Sequence, residues 1–233
     1  MYPLLRTALD KRKLQANGSQ STVRSGGILQ NRWIRRTAVV VLLVVHFGVA
    51  FSSTRIKSPT IDEYTYIATG YYYIKTGDFR LDRTHPPLIR LLIGLPLQFM
   101  DLNEPDPQVE KWDSPASYEL GYYLGKEMLL EKGNPVRSVV MAARWPILLL
   151  SCGLGGLIYL WAKNLYGTAG GFCALFLYVL CPNMLAHAGL ATMDLGISFF
   201  LVAALYALYG YLSNPEMKRW IVAGVALGAA LAA

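Results

Sequence analysis

Apolar positions in this chain form long runs separated by polar segments, a pattern typical of membrane helices. The runs cover residues 37–53, 138–161, 168–185 and 195–212, and each approaches the ~20 residues a helix needs to cross a bilayer. A further run, 220–233, has 14 residues and ends with the chain. The pattern predicts an all-α, multi-pass membrane helical bundle over residues 37–233. It also predicts that this bundle is the N-terminal part of a larger membrane domain.

A long polar region, residues 55–137, separates the first two runs and contains a predicted helix at 61–76. Thr60 and Glu63 have the spacing of a capping box, in which hydroxyl and carboxylate satisfy amides at a helix start. Gly77 follows the last apolar position, where helices commonly stop. The polar region is therefore predicted to be at least partly folded.

A histidine and a short apolar segment follow that helix. His85 precedes two prolines, and a residue before proline is pushed out of the helical region, so we expect a stiff, extended backbone there. Pro87 suits the first turn of a new helix. The next segment, 88–102, is apolar but contains Arg90 and Pro96, and its 15 residues are short for a membrane span. We predict that it lies at the interface, so that the polar region carries interfacial helices.

The interpretation of the net charge of +7 depends on where the basic residues lie along the chain. Eight of the 22 Lys and Arg residues precede residue 37, against a single acid. A basic tail before the first apolar run favours the cytoplasmic side and anionic lipid. Its polar composition predicts a disordered cytoplasmic tail over residues 1–36. This placement argues against nucleic-acid binding.

Basic residues also orient the later helices. If 88–102 does not cross the membrane, Lys163, Lys218 and Arg219 lie inside with the N-terminal tail. The corner at 187–194 then lies outside, on the same face as the long polar region. If 88–102 crosses, these three cations move outside, which breaks the positive-inside rule. The first arrangement is the predicted one.

Several charged positions are not explained by the apolar pattern. Asp62 and Glu63 open the predicted helix, Arg144 lies inside an apolar run, and Asp194 borders another. Charges in such places usually face a cavity or a partner. Simpler roles stay open: Asp62 can complement the helix dipole, and Glu63 can cap. Arg144 can snorkel to the interface, and Asp194 can cap its own helix. His46, in the first run, is predicted to face other helices.

These residues stand in motifs that resemble those of a known family. The motifs are the acid pair Asp62–Glu63, His-Pro-Pro-Leu at 85–88, AARWP around Arg144, and LAHAGLATMDLGISFF around Asp194. In this order they resemble the protein O-mannosyltransferases and related family 39 glycosyltransferases, over roughly residues 37–213. One departure is that Asp82 lies three residues before His85, where the family's mannosyltransferases often have Asp-x-His-Pro-Pro.

The resemblance implies a GT-C fold, with an active site at the outer face of a many-helix membrane domain. It implies transfer of a sugar, with inversion, from a polyprenyl-phosphate carrier to the hydroxyl of a protein, lipid or glycan acceptor. Asp62 is the implied general base, and Glu63 is the second catalytic candidate. Arg144 is the implied contact of the lipid phosphate. His85 and Asp194 are the other substrate-binding candidates.

Elementary chemistry agrees with these roles. A carboxylate can accept the proton of an attacking hydroxyl, and an arginine can hold phosphate oxygens in a bidentate manner. No cofactor is firmly implied. A divalent cation held by Asp62, Glu63, His85 or Asp194 stays open, although their spacing is not that of a tight ligand set.

Two other classes of function stay open at this level. One is a transporter or flippase segment in which Arg144 and Asp194 line a pathway. The other is a non-catalytic membrane assembly subunit that retains the fold. In each case the protein is predicted to be integral to the membrane, with its N-terminus cytoplasmic. The membrane would be the plasma or inner membrane of a prokaryote, or the endoplasmic reticulum of a eukaryote.

Overall fold

A computed structural model describes residues 31–114 and 117–233 of the chain. Most of the predicted disordered tail, 1–36, lies outside the described residues. Contacts divide the chain into two units, Met1–Thr37 and Ala38–Ala233. The helix packing that follows belongs to the second unit.

Secondary structure in the described residues is helical. The α-helices are α1 Arg32–Thr54, α2 Ile61–Thr76, α3 Leu88–Gly94, α4 Ser117–Lys126, α5 Val136–Val179, α6 Pro182–Ala188, α7 Asp194–Ser213 and α8 Met217–Ala232. Shorter helical turns cover Pro96–Phe99, Val109–Lys111 and Glu127–Glu131. No strand occurs in residues 31–114 or 117–233. The predicted all-α class is confirmed.

Three helices, α1, α5 and α7, are long and apolar enough to cross a membrane. Large apolar side chains such as Val44 on α1 and Leu201 on α7 are exposed. Exposed apolar surface of this extent is typical of a face that contacts lipid. An integral membrane protein is therefore indicated, as the sequence predicts.

Helix α5 is a hairpin of two helical arms rather than one straight rod. At Gly167 the backbone leaves the helical region, with φ 76° and ψ −177°, a conformation that favours glycine. The rings of Tyr159 and Phe172 lie 5.3 Å apart, and the Tyr178 hydroxyl donates to the Ser151 carbonyl at 2.8 Å. The arms are therefore antiparallel. The polar gap between the apolar runs 138–161 and 168–185 is therefore a sharp turn at Gly167, and residues 162–166 are helical.

The second arm does not continue to the end of its predicted span. It ends at Val179, and α6 starts at Pro182. Cys181 is extended, with φ −67° and ψ 117°, because a residue before proline is pushed out of the helical region. The prediction of one continuous span over 168–185 is wrong for this reason.

A buried polar cluster lies where α1 meets both arms of α5. The ring of His46 is fully buried, with Nε2 2.7 Å from Ser151 Oγ and Nδ1 3.4 Å from the Val179 carbonyl oxygen. The Tyr178 ring packs 5.0 Å from it. The prediction that His46 faces other helices is confirmed.

The interfacial segment forms α3 and then the turn Pro96–Phe99, an apolar helical stretch that is too short to count as a span. Helix α3 crosses α2 where Gly70 meets Gly94. A Cβ at Gly70 would lie 2.2 Å from the Arg90 carbonyl oxygen, and one at Gly94 would lie 2.2 Å from the Gly70 carbonyl carbon. The two backbones approach so closely that no side chain fits between them.

We expect Gly70→Ala to destabilise the folded protein, because backbone atoms cannot move aside as side chains can. Overpacking of this kind typically costs about 1–3 kcal/mol. Gly156→Ala is the matched control, since nothing lies within 4 Å of a Cβ there and alanine favours helix by about 1 kcal/mol over glycine. Thermal unfolding in detergent should show a lower Tm for Gly70→Ala only. Equal Tm values for both variants would contradict the close crossing.

Candidate functional site

Polar segments meet at one end of the helical bundle, around the side chain of Glu63. The backbone N–H of Ala191, in the corner between α6 and α7, donates to Glu63 Oε1 at 2.7 Å. Glu63 lies in the first turn of α2. The corner and the start of α2 are therefore at the same end, as the predicted topology requires.

Glu63 forms a buried, bidentate ion pair with Arg144 of α5. Arg144 Nε donates to Oε1 at 2.7 Å, and Nη2 donates to Oε2 at 2.8 Å. Both side chains are at most 1% exposed. The planar fork of arginine matches a carboxylate in this way, and such charge-assisted hydrogen bonds are among the strong ones.

The remaining N–H groups of Arg144 bind the linker between α1 and α2. Nη1 donates to the carbonyl oxygens of Thr54 at 2.9 Å and Lys57 at 3.1 Å. Nη2 also donates to the Ser58 carbonyl oxygen at 3.1 Å. Arginine has five N–H donors, and here all five have protein acceptors. In this arrangement Arg144 orders the linker and has no free donor.

Glu63 is also saturated with hydrogen bonds. It accepts the backbone N–H of Thr60 at 2.9 Å, which completes the capping box that the sequence predicts. Burial raises the pKa of Glu63, but hydrogen bonds from Arg144 and from the Ala191 N–H outweigh burial and lower the pKa below its usual value. A carboxylate in this state remains ionised and is a poor acceptor of further protons.

Asp62 lies one position earlier on α2 and has a different environment. Successive helical residues differ by about 100° in direction, so Asp62 points away from the buried Glu63 and is exposed. It lines a cavity of about 510 Å³ together with His85. The other lining residues are Ile61, Thr65, Tyr66, Asp82, Thr84, Glu119, Tyr122 and Tyr123. The cavity is thus rich in carboxylates and aromatic rings, surfaces that suit sugars and hydroxyl groups.

A second buried ion pair supports the cavity wall. Arg90 Nη2 lies 2.9 Å from Asp82 Oδ2, and both side chains are at most 3% exposed. Arg90 Nη1 donates to the Tyr73 hydroxyl at 2.8 Å and to the Asp82 carbonyl oxygen at 2.7 Å. The loop before His85 is held in place by these contacts. The sequence did not predict this role, although a lone arginine in the apolar segment 88–102 was a signal for it.

Tyr66 lines the cavity and packs against both His85 and Arg90. Its ring lies 6.3 Å from the His85 ring, edge to face, and 5.5 Å from the Arg90 guanidinium. Burial raises the pKa of its hydroxyl, and the negative charge of Asp62 raises it further. The hydroxyl therefore stays protonated and can donate a hydrogen bond.

Asp194 opens α7 at the same end of the bundle but is not among the cavity-lining residues. It accepts a hydrogen bond from the Thr192 hydroxyl at 3.0 Å. His187 Nδ1 lies 3.4 Å from its Oδ2. Of the five predicted site residues, Asp62 and His85 share the cavity, Asp194 lies at its end of the bundle, and Glu63 and Arg144 are buried as a pair. Among the described residues, no three His, Cys, Asp or Glu side chains converge in a way that could hold a metal ion.

Fold and site together define a membrane protein with an acidic cavity at one end of its bundle. Residues 136–233, which contain Arg144 and Asp194, match the profile of the dolichyl-phosphate-mannose-protein mannosyltransferase family. The resemblance predicted from the motifs is confirmed over this part of the chain, and it supports a membrane glycosyltransferase in general. Searches of curated proteins and of solved structures gave no match.

We expect Arg144→Ala to be strongly destabilising, because it leaves the Glu63 carboxylate buried without its cation. Removing one partner of a buried ion pair typically costs about 3–5 kcal/mol. Arg144→Lys should fall in between, since an ammonium group keeps the charge but cannot serve all the acceptors. Thermal unfolding in detergent measures these differences.

The matched control is Arg137→Ala, an exposed arginine on the same helix, for which the change should stay within about 0.5 kcal/mol. If Arg144→Ala and Arg137→Ala unfolded at the same temperature, the buried pair would not stabilise the fold.

Proposed function

We propose that this chain carries the catalytic end of an inverting glycosyltransferase that uses a polyprenyl-phosphate sugar, with Asp62 as general base. The observation that carries the proposal is the difference between two adjacent carboxylates. Asp62 is exposed in the cavity, whereas Glu63 is committed to Arg144 and two backbone amides. One acid is free for chemistry and the other holds the site together.

The reaction follows from this assignment. An acceptor hydroxyl in the cavity donates its proton to the Asp62 carboxylate as its oxygen attacks the anomeric carbon of the donor. The bond between that carbon and the phosphate oxygen breaks on the opposite face, so the configuration inverts. The lipid leaves as a phosphate monoester, with one more negative charge than the diester carried. The proton on Asp62 then passes to water.

Other cavity residues position the substrates. The Tyr66 hydroxyl and His85 lie beside Asp62 and supply hydrogen bonds for sugar hydroxyl groups. Tyr122 and Tyr123 supply aromatic faces on the α4 side. We assign Asp194, with His187, to substrate contact at the same end of the bundle, outside the lining of the cavity.

The phosphate role predicted for Arg144 stays a prediction. Each of its N–H groups has a protein acceptor in the described arrangement. Arg144 would therefore contact phosphate only after giving up a hydrogen bond to the α1–α2 linker or to Glu63. Its contribution in the present arrangement is to fix Glu63, and through Glu63 the start of the helix that carries Asp62.

We expect Asp62→Asn to fold normally and to lose transfer activity. Asparagine is nearly isosteric but cannot accept the proton, and loss of general-base catalysis typically costs about 10²–10⁴-fold in rate. Glu63→Gln should show the opposite pattern, with lower stability and expression but substantial turnover per folded molecule. Turnover at saturating donor, normalised to folded protein, measures both. Near-normal turnover in Asp62→Asn, with loss in Glu63→Gln, would reverse the assignment.

We further propose that the cavity opens to the extracytoplasmic side. With the native cysteines replaced, Asp106→Cys should react with a membrane-impermeant thiol reagent in intact cells. Asn214→Cys, at the turn between α7 and α8, should react only after permeabilisation, because Lys218 and Arg219 beside it favour the cytoplasm. Both positions are exposed, so access alone does not separate them. The reverse labelling pattern would place the cavity inside.

A further inference from the structure

Three exposed cations lie next to the buried Glu63–Arg144 pair. They are Arg55 and Lys57, in the linker after α1, and Arg137, in the first turn of α5. We call them the linker cations. The proposed reaction leaves an extra negative charge on the lipid phosphate, while Arg144 has no free donor to meet it. The linker cations are exposed and carry the positive charge that could meet it.

Contacts bring these residues together from two helices. Arg137 Nη2 donates to the Arg55 carbonyl oxygen at 3.3 Å. Arg144 holds the carbonyl oxygens of Thr54 and Lys57, the residues on either side of Arg55 and Ile56. Arg144 therefore fixes the linker from α5, and the exposed Arg137 adds one longer hydrogen bond to it. These two arginines are seven residues apart, which places them on one helix face about 10 Å apart along the axis.

The charge of the linker cations is uncompensated in the part of the chain that the structure describes. Several cations of the same polar region have carboxylate partners: Lys75 pairs with Glu104, Arg80 and Arg83 pair with Asp113, and Lys132 pairs with Glu127. Lys111 and Lys126 are also unpaired with a described acid, but neither contacts the linker after α1. No ion pair within 4.0 Å joins Arg55, Lys57 or Arg137 to a described acid. Positive charges without a described carboxylate partner are available to attract an external anion.

Their depth in the membrane points to the kind of anion. Arg55 directly follows α1, and Arg137 lies at the start of α5, and both helices are long and apolar enough to cross a membrane. The ends of such helices lie at the level of lipid phosphates. Arginine binds phosphate oxygens through its planar fork, and lysine adds a point charge.

We propose that Arg55, Lys57 and Arg137 bind the phosphate of the polyprenyl-phosphate donor. This assignment rests on the proposed function, and it gives the leaving phosphate a site separate from the acid-rich cavity that receives the acceptor hydroxyl. The linker cations hold the phosphate, and the Glu63–Arg144 pair fixes them relative to Asp62.

The test measures binding, so it does not depend on turnover. The full-length protein is placed in phosphatidylcholine nanodiscs and titrated with radiolabelled polyprenyl monophosphate. The variant R55Q/K57Q/R137Q should bind at least about tenfold more weakly, because hydrogen bonds to charged groups are lost. K218Q is the control, since Lys218 is an exposed cation at the α7–α8 turn. It should bind like the wild type.

A second arm separates the donor phosphate from phospholipid headgroups. Nanodiscs with phosphatidylglycerol replace the polyprenyl phosphate, and lipid retention is measured for the same variants. Loss of polyprenyl phosphate with retention of phosphatidylglycerol supports the proposal. Equal loss of both lipids overturns it in favour of a general anionic-lipid contact, and unchanged polyprenyl-phosphate binding overturns it outright.

Failure of the proposed function is visible separately. A wrong assignment of the general base shows as unchanged turnover of Asp62→Asn, whereas a wrong phosphate site shows as unchanged binding of polyprenyl monophosphate by the triple variant. Unfolding temperatures of the triple variant should stay close to the wild type, since all three side chains are exposed and the Glu63–Arg144 pair is intact. A binding loss with a normal Tm is therefore a loss of ligand contacts.

Discussion

The arrangement of this end of the bundle depends on the ion pair between Glu63 and Arg144. It joins the linker after α1, the start of α2, the first arm of α5 and the corner before α7. Two charges removed from water are costly unless their hydrogen-bonding capacity is met. Here it is met, because every N–H of Arg144 has an acceptor and both Glu63 oxygens accept more than one donor. The four segments can therefore take only positions that satisfy this network.

The same network separates the tasks of two neighbouring acids. On a helix, adjacent side chains point in directions about 100° apart, so the Asp62–Glu63 pair cannot face one site together. Glu63 points into the bundle and is neutralised by Arg144. Asp62 points into the cavity, where the described groups around it are carboxylates, hydroxyls and rings. An acid pair at a helix start can thus anchor the helix through one carboxylate and expose the other to a cavity.

Features that depend on nearby residues could be predicted from the sequence. The capping box of Thr60 and Glu63 and the stop at Gly77 each follow from local backbone preferences. The unusual position of Arg144 in an apolar run also marked it as important. Its partner could not be identified, because Glu63 lies 81 residues away and only the packing of α2 against α5 brings them together.

Other features could not be predicted from the sequence, for related reasons. Arg90 was visible as a charge in an apolar segment, but its partner Asp82 lies in an irregular loop whose path follows no periodic pattern. The break before Pro182 was visible in principle, yet the apolar run continues through it and hydropathy alone gives one span. Hydropathy identifies the apolar runs, but it does not show where a helix breaks within a run. Here the break is determined by Pro182.

That break has a mechanical consequence. Helix α6 has seven residues and is joined to α5 only through Leu180 and Cys181, which do not continue the helix. At its other end, the corner delivers the Ala191 amide to Glu63. A seven-residue helix therefore lies between this break and a hydrogen bond to Glu63 at the start of α2. Because that hydrogen bond is part of the buried network around Glu63, the position of α6 is coupled to the start of the helix that carries Asp62.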